Sequence, residues 1–185
     1  MNMKTGAIYK KQVYQILSRG KFISQASTDH QIRTYYENIQ ENEEAYRSYF
    51  AEEGLMLDHG RGYYQFCHDT ETDNVASAIL VIKRYITIFS ILIAWRDSIG
   101  PGDTFQKKEL FDAASTGDED FLRELTSYAK RDSYRDIIND LIATLRADGI
   151  IEKFIENDTE KFYVTSAYNY LEDLYDNTKV YNEEP

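Results

Sequence analysis

The residue types that bind metals or attack electrophiles are scarce in this chain, which contains three histidines and one cysteine. His30, His59 and His68 do not share a helix face. Cys67 and His68 are adjacent, so their side chains point to opposite faces of a strand. Neither HExxH nor CxxC occurs, although zinc sites are commonly built from such spacings. We therefore predict structural roles for these four residues and no metal site.

Phosphate-binding and hydrolytic motifs are also missing from the sequence. There is no GxxxxGKS/T loop, and Gly100-Pro101-Gly102 lacks the further glycine and the strand–helix context of a dinucleotide-binding turn. The acidic runs at 117–120 and 156–158 lack the ligand spacing of a calcium loop, which favours solvated turns or helix N-termini. No nucleophile-elbow motif links a serine to a histidine and an aspartate. We predict a protein that is not an enzyme and needs no cofactor.

The formal net charge of −11 argues against a general nucleic-acid binder, because phosphate neutralisation supplies most of that affinity. The charge is uneven, since residues 1–36 contain six basic groups and one acid. This asymmetry is typical of two surfaces with different partners, and a solvated basic helix face explains it equally well. One hypothesis for the basic groups is a weak, salt-sensitive contact with the DNA backbone. Its candidate residues are Lys10, Lys11, Arg19, Lys21, Arg61, Lys153 and Lys161.

Aromatic residues are abundant, with 16 Tyr and 9 Phe, and most of those at helical spacing are expected in the core. Two pairs, Tyr63/Tyr64 and Phe162/Tyr163, lie in predicted strands, where neighbouring side chains face opposite ways. One ring of each pair should therefore point away from the core of its own domain. Tyrosine suits protein interfaces because its ring is buried while its hydroxyl stays hydrogen-bonded. We hypothesise that these outward rings form partner surfaces together with Tyr168, Leu171 and Tyr175.

The elements that would position these side chains surround one apolar stretch, residues 75–99. Its apolar residues fall on nearly every side of a helix, which is typical of a buried helix. A membrane span is disfavoured because Lys83 and Arg84 would each cost about 2.5–3.5 kcal/mol at a bilayer centre. The uncharged run at 85–95 is also too short to span. We predict a central core helix, either continuous or broken in two.

Helical spacing predicts three helices before this stretch, at 8–19, from the cap Asp29, and from the cap Asn42 to Gly54. The period then changes to that of strands. Residues 55–57 and 63–67 form a predicted hairpin around the glycine-containing turn 58–62, and 69–74 form a polar linker.

After the central stretch the same order returns. Predicted helices occupy 105–114, capped by Thr104, then 118–130, then 133–148, where Ser133 and Asp136 resemble a capping box. A second hairpin follows Gly149, with strands at 150–155 and 160–165, and a last helix begins at Ser166.

Gly54 and Gly149 lie 95 residues apart and occupy equivalent places. Each follows a helix with an acidic end and precedes an aliphatic strand, a polar turn and an aromatic strand. Three helices followed by a β-hairpin are the winged-helix arrangement. We predict a mainly α fold with small β-hairpins (α+β), in which a long apolar central helix joins tandem winged-helix domains. The predicted units are a first winged-helix domain at 1–70, a helical connector at 71–102 and a second winged-helix domain at 103–185.

Winged-helix domains often read DNA by placing the third helix in the major groove. Here the third helix of the first unit sets Arg47 against Glu43, Glu44, Glu52 and Glu53. Its counterpart at 133–148 contains two arginines and three aspartates. Acidic groups repel phosphates, and neither helix offers a cluster of base-reading side chains. A stand-alone DNA-binding regulator is therefore the less favoured alternative.

The run YFAEEGLML at 49–57, followed by GYYQF at 62–66, resembles the first winged helix of the MukE/MksE family. The acidic, double-winged layout of nearly the whole chain resembles that family too. The resemblance implies a homodimer that binds the middle region of a kleisin subunit of the MukF or MksF type. That kleisin in turn engages an SMC-like ATPase in a bacterial condensin-like complex.

The resemblance leaves two roles open, chromosome organisation and plasmid defence, because some relatives belong to plasmid-defence operons. It transfers no catalytic residue to this chain. The lone cysteine and the polar N-terminus without a signal-peptide core predict a soluble cytoplasmic protein, associated with the nucleoid if the resemblance holds.

Overall fold

The computed structural model describes residues 6–67, 75–129, 131 and 133–182, without the side chains of 75–77 and 179–182. The predicted linker at 69–74 and His68 lie outside the described residues. The described part is a mixed fold of eight helices and two small antiparallel sheets of three strands each.

The first half runs from α1 to β3. Its elements are α1 (Lys10–Leu17), β1 (Ile23–Ser24), α2 (His30–Glu41), α3 (Glu43–Glu52), β2 (Met56–Gly60) and β3 (Tyr63–Cys67). The second half continues from α4 to the last helix. Its elements are α4 (Val75–Trp95), β4 (Thr104–Phe105), α5 (Lys107–Thr116), α6 (Glu119–Tyr128), α7 (Tyr134–Asp148), β5 (Ile151–Glu156), β6 (Thr159–Val164) and α8 (Tyr168–Asn182).

Several helix starts follow from their capping residues. The Asp29 carboxylate accepts a hydrogen bond from the Gln31 amide, and the Ser133 hydroxyl accepts one from the Arg135 amide, as predicted. Asn42 stands at the N-cap of α3 as predicted, although its side chain makes no cap hydrogen bond. The predicted cap Thr104 is wrong. Thr104 belongs to the short strand β4, and a capping box of Gln106 and Glu109 starts α5 instead.

Each sheet has the same strand order, with the hairpin's second strand in the middle. The orders are β1-β3-β2 and β4-β6-β5. In the first sheet Ile23 pairs with Tyr64, and in the second Phe105 pairs with Phe162. Each short outer strand pairs with two residues of the hairpin's second strand and so covers part of its outer edge.

Two buried clusters form the interior. The first joins α1, α2 and α3 to the first sheet through residues such as Val13, Ile39, Tyr46 and Phe50. The second is larger and includes parts of α4 to α8 and the second sheet. Phe22 and Tyr63 come from the first half but belong to the second cluster. The two halves therefore share a buried surface.

The central helix α4 is a single element, and its two ends have different environments. Ile88, Phe89, Ile91 and Leu92 are buried in the second cluster, as predicted for a core helix. Residues 78–84 are all exposed, so the prediction of burial is wrong for this end. By length and composition, residues 78–95 could cross a membrane, but the buried C-terminal end packs inside the protein. A core helix of a soluble protein passes the same test.

Candidate partner-binding surface

The first aromatic pair is buried on both sides of its strand. Tyr64 packs into the first cluster, with its ring centroid 5.2 Å from that of Tyr36. Tyr63 faces the opposite way, and its ring lies 5.5 Å from Phe22 and 5.8 Å from Tyr170. Only 4% of Tyr63 and 3% of Tyr64 is exposed. The expectation of an exposed ring is wrong here, because the second half covers the outer face of the first sheet.

We call the region where the two halves pack together the junction. Burial there raises the pKa values of nearby groups. Burial raises the pKa of the Tyr170 hydroxyl to about 12. Burial and the nearby Asp58 carboxylate raise the pKa of the Cys67 thiol to about 11. A thiol must ionise to act as a nucleophile, and this shift disfavours the ionised form of Cys67.

The turn of the first hairpin docks on α8. The Arg61 guanidinium donates hydrogen bonds to Glu172 at 2.6 Å and to Asp173 at 2.7 Å. The Asn169 side-chain amide donates to the Arg61 carbonyl at 2.5 Å. Gly62 has a φ of +84°, and a Cβ at this position would lie 2.9 Å from the Ser166 Cβ. Arg61, a candidate DNA contact, is therefore engaged within the chain.

Further polar contacts hold the halves together beside this turn. The Ser166 hydroxyl accepts a hydrogen bond from the Ala26 amide at 3.0 Å. The Glu152 carboxylate accepts from the Ser27 hydroxyl and from the Thr28 amide, each at 2.5 Å. The Phe22 amide donates to the Asp148 carbonyl at 3.1 Å. This set of contacts fixes the residues on both sides of β1: Phe22 against the end of α7, and residues 26–28 against Glu152 of the second sheet and Ser166.

The second aromatic group is mostly interior as well. Phe162 packs 5.5 Å from Phe105, and Tyr168 and Leu171 are buried in the second cluster. Tyr163 is half-buried on the second hairpin, and Tyr175 is half-buried with its ring 4.9 Å from that of Phe89. Of the seven residues predicted to contact a partner, Tyr163 and Tyr175 thus keep partial access to solvent. A partner contact at any of the seven stays a prediction.

The predicted basic residues do not form one surface. The Lys10 ammonium lies over the Tyr49 ring, 4.3 Å from its centroid. Lys153 pairs with Glu160, and Lys161 pairs with Glu156 at 2.5 Å. Lys11, Arg19 and Lys21 are exposed.

One groove does bring two of these basic residues together. It measures about 390 Å³ and lies between the halves. Lys21, Lys153 and Arg146 of α7 line it together with the acidic residues Asp29 and Glu152. The sequence prediction missed Arg146, although its position in the last turn of a helix marks it as an exposed cation.

One acidic residue of α3, Glu43, contacts the first hairpin, whereas Glu44 and Glu52 are exposed. The Glu43 carboxylate accepts hydrogen bonds from Arg47 at 2.8 Å and from the Tyr64 hydroxyl at 3.1 Å. Partial burial opposes ionisation, but these bonds and the charge of nearby His59 lower the pKa of Glu43 overall. His59 lies 3.2 Å from this carboxylate, and His30 contacts Thr34. No cluster of potential metal ligands occurs among the described residues.

An exposed apolar surface is the feature that sequence reasoning missed. The first described turns of α4 carry four consecutive aliphatic residues, Ile79, Leu80, Val81 and Ile82, with exposed fractions between 37% and 67%. Beside them lies a groove of about 380 Å³ lined by Leu17, Phe22, Phe66, Val81, Ile82 and Tyr85, among others. Because apolar residues fall on nearly every side of this helix, the sequence predicted its burial, but it did not show which element would cover it.

The family model described as condensin complex protein MksE matches residues 9–175. A search of curated proteins finds no match to the chain.

Proposed function

Because the chain belongs to the MksE family of condensin complex proteins, we propose that it is a non-enzymatic assembly subunit of an SMC–kleisin complex. In this proposal a homodimer binds the middle region of a kleisin of the MukF or MksF type. The kleisin engages an SMC-like ATPase, which performs the ATP hydrolysis. The complex organises chromosomal DNA or acts in plasmid defence, and the protein works in the cytoplasm at the nucleoid. The observation that carries the proposal is a family match that covers both halves of the chain.

We propose further that the two halves are tandem winged-helix domains, as the order of elements suggests. The first half runs α1-β1-α2-α3-β2-β3, and the second runs α4-β4-α5-α6-α7-β5-β6. The equivalent strand orders of the two sheets support this reading. The boundaries 1–70, 71–102 and 103–185 need one amendment. Because the C-terminal end of α4 is buried in the second cluster, we assign it to the second domain and keep its exposed end as the connector.

A stand-alone DNA-binding regulator remains the less favoured function. Glu44 and Glu52 are exposed on α3, so this helix presents negative charge where a recognition helix needs cations. The turn of the first hairpin, which would reach a flanking groove of DNA, contacts α8 through Arg61.

A weak contact with the DNA backbone inside the complex is a second proposal. It rests on Lys21, Arg146 and Lys153, which line one groove. A gel-shift titration of the isolated protein at low salt tests it, with Lys21→Glu as the variant. We expect a weak shift that Lys21→Glu reduces and that salt abolishes, since phosphate contacts release counterions. A shift unaffected by salt or by the variant would contradict this role.

Light scattering tests the assembly function directly. The purified chain has a mass of 21.6 kDa, so a homodimer should scatter as a particle of about twice that mass. Addition of the middle fragment of the candidate kleisin should convert it to a larger particle of fixed stoichiometry. A monomer that does not respond to the fragment would refute the proposal, and DNA binding would become the next function to test.

A further inference from the structure

We propose that the cleft between α7 and the tip of the second hairpin, β5–β6, binds the phosphates of a DNA backbone, and that Glu160 takes the place of one phosphate in the free chain. The inference rests on the proposed weak contact with DNA, because it names the residues that make the contact and the residue that opposes it. It does not depend on the assembly function.

One flank of α7 is basic, although the helix contains three aspartates. Arg135, Asn139 and Arg146 follow one another at intervals of four and seven positions, so they fall within about 40° of one another around the helix axis. All three side chains are exposed. The helix therefore presents two arginines and an amide along a single line.

The aspartates of α7 lie on its other sides. By the same geometry, Asp136 and Asp140 are at least about 60° from each member of the basic flank. The Asp140 carboxylate pairs with Arg131 at 2.6 Å. Asp148 is half-buried and accepts a hydrogen bond from Tyr85 at 3.2 Å. The negative charge of α7 thus lies beside its basic flank and not on it.

The tip of the second hairpin extends toward this flank. Side chains alternate along a strand, so Lys153 and Glu160 share a face with Phe162. Phe162 is buried in the second cluster, which turns this face toward the body of the second half. Lys153 also lines a groove with Arg146. Lys153 and Glu160 therefore continue the core face of the hairpin beside the end of α7.

Glu160 is the carboxylate that these cations share. It forms an ion pair with Lys153. The hydrogen bond from Lys153 lowers the pKa of Glu160, and the charges of Lys107 and Arg146 lower it further. Lys107, at the start of α5, also donates a hydrogen bond to Asn139 of the basic flank at 3.2 Å. Neither Lys107 nor Arg146 forms an ion pair of its own within the described part of the chain. Three cations thus share one carboxylate, so positive charge is left over for a ligand.

The two acids in the neighbouring groove do not supply the missing negative charge. Glu152 lies on the opposite face of the hairpin, and its carboxylate accepts hydrogen bonds from Ser27 and Thr28. The Asp29 carboxylate caps α2, where it accepts a hydrogen bond from the Gln31 amide at 2.7 Å. Both carboxylates are therefore engaged by residues of the first half.

A phosphate backbone suits this cleft better than an acidic segment of a protein does. Protein interfaces have an apolar centre with charges at the rim. Tyr134 is the exposed large apolar residue of α7, and it lines a groove on the α6 side. The described side chains of the basic flank thus offer exposed donors without an apolar centre, and backbone phosphates need only such donors. Arg135 and Arg146 lie about 16 Å apart along the helix, which lets them follow several phosphates of one strand.

Displacement of Glu160 is favourable because a DNA strand brings several negative charges to these cations, whereas Glu160 brings one. The ion pair that must break is weak, since the Lys153 and Glu160 side chains are 38% and 40% exposed. Each phosphate contact also releases counterions from the DNA. The net charge of −11 keeps the binding weak, so the loss of a single competing carboxylate should be measurable.

The test measures the affinity of the full chain for a short labelled DNA duplex by fluorescence anisotropy at several low salt concentrations. Glu160→Gln removes the competing carboxylate and keeps its size. Glu156→Gln is the matched control, because Glu156 is also an exposed carboxylate of this hairpin and pairs with Lys161, but it lies on the opposite face. Arg146→Gln removes a cation of the basic flank. All three side chains are exposed, so the variants should fold, and circular dichroism checks this.

We expect Glu160→Gln to lower the dissociation constant about threefold or more, and to steepen its dependence on salt as one added phosphate contact does. Arg146→Gln should raise the dissociation constant by a similar factor and make the salt dependence shallower. Glu156→Gln should change the dissociation constant by less than about twofold and leave the salt dependence unchanged, although it alters the net charge equally.

A gain in affinity no larger for Glu160→Gln than for Glu156→Gln would overturn the phosphate site and leave the weak DNA contact standing. If neither the unchanged protein nor Glu160→Gln binds DNA at low salt, the site and the DNA contact both fail, while light scattering judges the assembly function separately. If Glu160→Gln leaves DNA binding unchanged and instead tightens binding of the middle fragment of the kleisin, the occupant is an acidic protein segment and the proposal is overturned.

Discussion

The hairpin β2–β3 and the hairpin β5–β6 occupy equivalent places in the two halves, yet their outer faces meet different surroundings. Each follows a helix and a glycine with positive φ, and each joins its strands by a two-residue turn. The turn of the first hairpin contacts α8 through Arg61 and Gly62. The second turn is formed by Asn157 and Asp158, both exposed and with positive φ.

The residues that precede Gly54 and Gly149 also differ in how far the other half covers them. Glu53 is exposed at the end of α3, whereas Asp148 at the end of α7 is half-buried under the first half and contacts Tyr85 and Phe22. The turn of the first hairpin is therefore engaged by the junction, whereas the turn of the second hairpin is exposed.

The largest expected loss of stability comes from removing a ring of the first aromatic pair, Tyr63/Tyr64. Tyr63→Ala removes a buried ring that contacts Phe22 and Tyr170 across the junction, which should lower the free energy of unfolding by about 3–5 kcal/mol. Urea unfolding followed by circular dichroism measures this. Tyr163→Ala is the control, because that ring is half-buried and should cost much less. Equal losses for both variants would contradict the difference between the hairpins.

Alanine at Gly62 should have the next largest effect. A non-glycine residue in the left-handed region costs about 1–2 kcal/mol, and the clash with Ser166 should add about 1–3 kcal/mol. Gly117→Ala is a matched control, since Gly117 has a φ of +79° but no neighbour within 4 Å of a Cβ. Both variants are compared by urea unfolding. If Gly117→Ala costs as much, the turn does not depend on its contact with Ser166.

Asp148→Asn should change how stability depends on pH, with a smaller effect. Burial raises the pKa of Asp148, although a hydrogen bond from Tyr85 and the charges of Arg84 and Lys21 oppose the shift. The folded state thus binds a proton more tightly than the unfolded state. The free energy of unfolding must fall as pH rises from the ordinary value of 3.8 through the raised folded pKa.

Asp148→Asn has no carboxyl group to titrate at this position. Its free energy of unfolding minus that of the unchanged protein should therefore be greater at pH 7 than at pH 3. Urea unfolding across this range measures the difference. Glu53→Gln serves as the control because it makes the same change of charge at an exposed position. A constant difference between Asp148→Asn and the unchanged protein at all pH values would contradict the role of burial at the junction.

Arg61→Ala should have the smallest effect, despite two ion pairs with α8. The Arg61 side chain is 58% exposed, and exposed pairs contribute about 0–1 kcal/mol. Unfolding at low and high salt should show a small loss of stability that screening removes. A loss as large as that of Tyr63→Ala would mean that charge, and not ring burial, holds the junction.

Local features were predicted well from the sequence. The predicted helix at 133–148 and the observed α7 agree almost to the residue, because Ser133 and Gly149 mark its two ends. The hairpins were also predicted, since apolar periodicity changes after each glycine. The cap at Thr104 was predicted wrongly, because Thr104 instead pairs with Tyr163 in a strand. This pairing joins residues far apart in the chain.

The candidate site was predicted less well, for a related reason. Alternation along a strand correctly places Tyr63 and Tyr64 on opposite faces. It says nothing about whether another element covers the outer face. The same limit applies to α4, whose apolar pattern predicts burial at both ends although the described chain buries only one.

The sequence by itself determined the family, the positions of most helices and both hairpins, and the overall acidity, since these depend on composition and on spacing within short segments. Only the tertiary structure decided which faces remain available. Packing against Phe22 and Tyr170 buried Tyr63, and the packing of α4 left Leu80 exposed. Exposure depends on contacts between residues more than a hundred positions apart, such as Arg61 and Glu172, and no short segment contains that information.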